Sequence, residues 1–145
     1  MIWPQSPVAE PEYVDTNVLV RLLMDDDPVQ SPAARAYFRA AASGKARPFI
    51  SASTIRELVY VLGGPRLRFE RARLAEAVEA VLDLDAVVSD RSVVARACAL
   101  LRTAHPDWDD CLLAAYAIER AEGRLVSFDR GLDRIPGLRR EGPAQ

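Results

Sequence analysis

The sequence predicts an α/β fold in which helices cover a short parallel sheet on both faces. Three observations predict it. Short apolar runs alternate with longer stretches whose apolar residues recur at i, i+3, i+4 and i+7, the helical period. Strands separated by helices imply parallel pairing through crossovers. The 145 residues, 50 % hydrophobic and 28 % charged, suit one domain with a buried core and a solvated surface. They exclude a disordered chain.

Residues 1–11 carry Pro4, Pro7 and Pro11 and read as a loose leader, which leaves residues 12–145 as a single domain. Glu12-Tyr13-Val14-Asp15 is the first strand. Asn17 to Met24 is apolar enough for a helical turn or two. Asp27-Pro28 opens the next helix, with aspartate as N-cap and proline at the first helical position. That helix runs through Phe38 and stops near Gly44. Pro48 to Ser51 is the second strand. Ser53 or Thr54 starts a helix with Ile55, Leu58, Val59 and Leu62 inward, ended by Gly63-Gly64-Pro65. Phe69 to Leu82 is another amphipathic helix, with Leu74, Val78, Val81 and Leu82 inward. Ala86 to Val88 is a brief third strand. Asp90 caps a helix from Ser92 to Ala104, and His105-Pro106 breaks the chain. Asp109 to Glu122 is a helix closed by Gly123. Leu125 to Phe128 is the fourth strand, and Gly131 to Gln145 is a turn-rich tail. No internal repeat or linker divides the chain.

No run approaches the roughly 18 apolar residues that cross a bilayer. Met1 to Glu10 lacks the basic residues and apolar stretch of a signal peptide, so the default location is the cytoplasm. Cys98 and Cys111 lack zinc-site spacing and read as buried free thiols. A net charge of −2 does not mark a nucleic-acid binder. However, 18 arginines stand against one lysine, Lys45. Arginine grips phosphate with a planar fork and stacks on bases, which is compatible with RNA contact. Genomic base composition is the plainer source of that bias.

In open parallel sheets, ligands bind beyond the carboxyl ends of the strands. Strand one ends at Asp15. Strand two leads into Ser51 and then Glu57. Strand four ends at Ser127-Phe128-Asp129. The helix beginning near Asp109 brings Asp107 and Asp110 towards the same edge. The expectation is therefore one sheet, with strands one and four placing Asp15 and Asp129 at the same end. Clustered carboxylates repel one another. A divalent cation such as Mg²⁺ or Mn²⁺ removes that penalty and can activate water beside a phosphate. Each residue also has a plain reading. Asp15 can cap a helix. Glu57 can close a capping box with Thr54. Asp107, Asp109 and Asp110 suit a helix start. Asp129 suits a turn. The triplet Asp25-Asp26-Asp27 reads as structural, and His105, the only histidine, reads as a loop residue outside the chemistry.

Four blocks resemble one family in order. They are Tyr13-Val14-Asp15-Thr16-Asn17-Val18-Leu19-Val20 with Asp26-Asp27-Pro28, then Ile50-Ser51 to Glu57-Leu58, then Asp107-Trp108-Asp109-Asp110-Cys111-Leu112-Leu113-Ala114-Ala115, then Leu125-Val126-Ser127-Phe128-Asp129-Arg130. Together they resemble PIN-domain ribonucleases of the VapC toxin type over about residues 12–138. The resemblance implies a PIN-like three-layer α/β/α sandwich and a Mg²⁺- or Mn²⁺-dependent endoribonuclease. It implies Asp15, Glu57, Asp110 and Asp129 as the acidic quartet, with Asp107 a further acidic position. Thr16, Asn17 and Ser127 match supporting polar positions, and Arg130 is the leading candidate for holding the RNA backbone. It also implies a VapB-type antitoxin partner and a homodimer. The helix faces near Ala33 to Phe38 and Leu58 to Leu62 are candidates for the partner groove.

Three competitors are weaker. A haloacid-dehalogenase phosphatase needs an aspartate two residues after the first, where Asn17 stands. A phospho-accepting receiver domain needs a mid-chain aspartate, and Asp15 lies too early. A catalytically silent PIN-type binding module does not require all four carboxylates.

Overall fold

The computed structural model describes residues 8–144. Most of the leader, residues 1–7, lies outside them. Pro11 already belongs to the first strand, β1 (Pro11–Tyr13). Val14 extends that pairing by donating its N–H to the Phe49 carbonyl at 3.0 Å. The chain then turns into α1 (Thr16–Met24), whose N-cap is Asp15.

The Asp25-Asp26-Asp27 triplet is structural, as read. Asp25 is a left-handed C-cap that pairs with Arg35, and Asp26 pairs with Arg21. Asp27 Oδ1 accepts from the N–H groups of Val29 (2.9 Å) and Gln30 (2.7 Å), but α2 (Gln30–Ala42) starts two residues later than expected, with Val29 and not Asp27 as its N-cap. Those two bonds hold the Asp27 carboxyl below the usual carboxylate range.

β2 (Arg47–Ile50) runs into α3 (Ala52–Gly63), and here the helix start moves from its expected place. Ser51, not Ser53 or Thr54, is the N-cap. Its extended backbone lets its Oγ accept from Thr54 N–H at 3.1 Å. The expected apolar face is correct: Ile55, Leu58, Val59 and Leu62 are all buried. α4 (Arg71–Leu82) and β3 (Val87–Val88) follow. Asp90 precedes α5 (Arg91–Thr103) but does not cap it with its side chain, contrary to expectation. That carboxylate accepts from Tyr116 Oη at 2.6 Å and from Arg120 instead. α6 (Trp108–Arg120) starts with Asp107 as N-cap, whose Oδ1 accepts from Asp110 N–H at 3.0 Å.

The core is one contiguous cluster running from Val14, Leu19 and Ile50 through α3, α4 and α5 to Cys111, Ala115, Leu132 and Ile135. α1 packs on α2 and α3, α3 on α4, α4 on α5, and α5 on α6. The molecule is thus an α/β sandwich, as expected. Cys98 and Cys111 are buried free thiols, and burial pushes them up to about 11 and about 12. Among the described residues no helix is long and apolar enough to cross a membrane.

The sheet departs from expectation. β1, β2 and β3 pair in parallel in that order, with Tyr13 opposite Phe49 and Ile50 opposite Val88. β4 (Arg124–Val126) does not join them. It pairs in parallel with β5 (Arg139–Glu141), a strand inside the stretch expected to be only turns. Two features hold that pair. Arg139 N–H donates to the Gly123 carbonyl at 2.6 Å. Arg140 donates to the Ser127 carbonyl at 2.8 Å and to both Asp133 oxygens, at 2.7 and 3.1 Å. The tail, and not the three-stranded sheet, therefore supplies the partner of β4.

Candidate active site

Asp15 sits where β1 gives way to α1, in the extended conformation of an N-cap, with Oδ1 accepting from Thr16 N–H at 2.9 Å. Its carboxylate is exposed, whereas Thr16 is buried. The Thr16 hydroxyl donates to Glu57 Oε2 at 2.8 Å, joining α1 to α3 across 41 residues. This bond corrects the capping-box reading of Glu57. Thr54 is three residues into a helix capped by Ser51, so Glu57 has no cap to reach back to.

The third acidic segment lies at the head of α6. Asp110 Oδ2 is 2.9 Å from Nε2 of His105, which is buried at 6 % exposure. Asp109 points the other way and accepts a forked pair from Arg56 at 2.8 and 3.1 Å. Both members of that pair are more than half exposed, so it contributes little stability. It does place α3, one residue from Glu57, against α6, one residue from Asp110.

Asp129 caps a 3₁₀ turn (Arg130–Arg134), with Oδ1 accepting from Gly131 N–H at 2.8 Å, while Ser127 Oγ accepts from Asp129 N–H at 3.0 Å. Asp129 is carried by the separate β4–β5 pair and not by the three-stranded sheet that Asp15 follows, which corrects the expected single sheet. Nor, among the described residues, are three His, Cys, Asp or Glu side chains gathered as a metal cage. Each carboxylate is engaged by its own donor, and like charges have no reason to converge. The donor chemistry still suits a hard cation. Asp15, Glu57, Asp107 and Asp110 offer carboxylate oxygen on neighbouring elements, which Mg²⁺ and Mn²⁺ prefer.

Asp15 and Asn17 also edge a cavity of about 550 Å³ between β1, α1 and α2, with Tyr13, Arg21, Ala33 and Tyr37 on its walls. Ala33 and Tyr37 thus remain reachable. By contrast, Phe38, Leu58, Val59 and Leu62 are consumed by the core, which removes much of the expected partner groove. Arg130 is exposed and makes no hydrogen bond or ion pair among the described residues.

Two participants were missed in the sequence. His105 lies five residues before Asp110 across a proline, a spacing with no helical meaning until α6 is placed. Arg56 resembles any solvated helix arginine until Asp109 is seen opposite. The PIN domain family model matches residues 13–138. No curated protein matches the chain.

Proposed function

The chain belongs to the PIN domain family, a nuclease-type fold, and from that premise we propose that it is a divalent-metal-dependent endoribonuclease, the toxin of a VapBC-type pair. The observation that carries this reading is the Thr16–Glu57 bond. It brings a glutamate with no capping role beside the N-cap Asp15, from a different element. The family match over 13–138 supports reading residues 12–145 as one domain.

Asp15, Glu57 and Asp110 would hold the cation, with Asp107 and Asp129 as further carboxylates of the acidic set. A cation so held, when bound, supplies an activated water and neutralises charge growing on the phosphate. The protein's own part is positioning. Thr16 fixes one oxygen of Glu57 and leaves the other free. Asp107 sets the first turn of α6 and hence the direction of Asp110. Arg130, exposed and without an ion pair among the described residues, offers a fork to the RNA backbone, and Phe128, 84 % exposed beside Asp129, offers a face on which a base can stack. Such backbone grip gives affinity without sequence information. The toxin role, a VapB-type antitoxin and a homodimer rest on the motif resemblance.

The deciding experiment is incubation of purified protein with RNA and Mn²⁺, with and without excess EDTA. Internal cleavage that EDTA abolishes is the expected result. Full cleavage in EDTA would exclude the metal mechanism. A second reading, a PIN-type module that binds RNA without cutting it, draws on Asp129 Oδ1 being already engaged by Gly131 N–H and on no three acidic side chains gathering as a cage among the described residues. RNA binding with no cleavage at any Mn²⁺ concentration would favour it.

A further inference from the structure

We propose that His105 is a positioning residue that orients Asp110 towards the cation, an inference that rests on the nuclease reading above. The histidine is built into place rather than left in a loop. Its N–H donates to the Leu100 carbonyl at 3.0 Å, and its carbonyl accepts from the Cys111 thiol at 3.3 Å. The ring therefore hangs from a backbone pinned on both sides, at the junction of α5 and α6.

The ring itself has one partner. Nε2 lies 2.9 Å from Asp110 Oδ2, and Nδ1 is buried with no hydrogen-bond partner. This pattern assigns the tautomer. A proton on Nε2 donates to the carboxylate and leaves Nδ1 a bare lone pair. A proton on Nδ1 would be a buried, unpaired N–H, which costs more. The imidazole is therefore a one-directional donor to a single oxygen of Asp110.

Asp110 is held at both ends as a result. Its N–H is fixed by Asp107 Oδ1 at 3.0 Å, and its Oδ2 is fixed by His105. Oδ1 remains for a cation, with the side chain 34 % exposed towards solvent. Groups that donate to a metal-ligating carboxylate fix its direction, and losing them commonly costs about 10–100-fold in metal affinity or activity.

A chain with one histidine gives one imidazole spin system, so the test is direct. In ¹⁵N NMR the expected result is the Nε2–H tautomer, with Mg²⁺ moving the Nε2–H signal in the wild type. An Nδ1–H tautomer, or a signal that ignores Mg²⁺ while the wild type cuts RNA, would overturn the proposal. In kinetics, His105→Leu should lower kcat about 10–100-fold with little change in KM for RNA, and weaken Mn²⁺ binding alike. His105→Gln, whose amide can still donate, should recover part of both. If His105→Leu does not fold, the tautomer and the His105→Gln rescue decide. Wild-type kcat in a folded His105→Leu excludes positioning. A wild type that cuts nothing instead refutes the nuclease reading, separately from the NMR result.

Discussion

Glu57 has Oε2 on the Thr16 hydroxyl, and a glutamine there keeps an oxygen for the same donor while losing the charge. Glu57→Gln is therefore expected to melt within about 0.5 kcal/mol of wild type, as exposed substitutions usually do. It should nevertheless lose RNA cleavage. Retained cleavage would reduce Glu57 to a tie between α1 and α3. Asp90 poses a different question, because its left-handed N-cap backbone leaves its carboxylate free for α6. The Tyr116 hydroxyl, and then Arg120, hold its carboxyl below the usual carboxylate range. A depressed folded value means that the stabilisation is present at neutral pH and lost as pH falls through that value. Asp90→Asn should thus lower the melting temperature at pH 7, and the gap to wild type should close as pH falls below the usual carboxylate range. A gap that stays constant from pH 7 to pH 2.5 would show that the charge is not what matters.

Among the elements, the β4–β5 pair depends most on one residue. Gly123 has a φ of +82°, and a Cβ there would stand 2.1 Å from the Gly137 carbonyl oxygen. Neither the angle nor the contact tolerates alanine. The left-handed backbone alone costs a non-glycine residue about 1–2 kcal/mol, and the contact is with backbone that has nowhere to go. Gly123→Ala should exceed that cost. It should also release amide protection in Arg124–Val126 and Arg139–Glu141 while β1, β2 and β3 keep theirs. Unchanged hydrogen exchange in β4 would mean that the glycine contact does not hold the pair. The same pair marks where sequence reading ran out. β5 is Arg139-Arg140-Glu141, with no apolar alternation, and it is held by backbone bonds and by the fork of Arg140 on Asp133. Nothing in its side-chain pattern says strand. The helices were legible for the opposite reason, since residues such as Ile55, Leu58 and Leu62 repeat at helical spacing and are wholly buried.

At the scale of the whole molecule, the parts of the candidate site that could be read were those on regular elements. Asp15, Glu57 and Asp110 lie on α1, α3 and α6, which the core packs into one body, and these elements meet through Thr16–Glu57 and Arg56–Asp109. The strand before Asp129 was assigned to the wrong sheet because it pairs with the tail, and tail pairing has no apolar signature. A cation bound only by the folded arrangement must stabilise it by mass action. At a hundredfold excess over Kd that amounts to about 2.7 kcal/mol, or roughly 5–10 °C in melting temperature for a chain of this size. Wild-type protein should show this shift with Mn²⁺. Asp15→Asn and Asp110→Asn should not show it, yet both should melt near wild type without metal. Asparagine caps a helix as well as aspartate does, which preserves the bond to Thr16 N–H. Its carbonyl can also accept from His105 in place of the carboxylate. A wild-type melt that ignores Mn²⁺ would mean that Asp15 is a helix cap and Asp110 a partner of His105, and nothing more. A shift that survives both substitutions would move the cation elsewhere in the molecule.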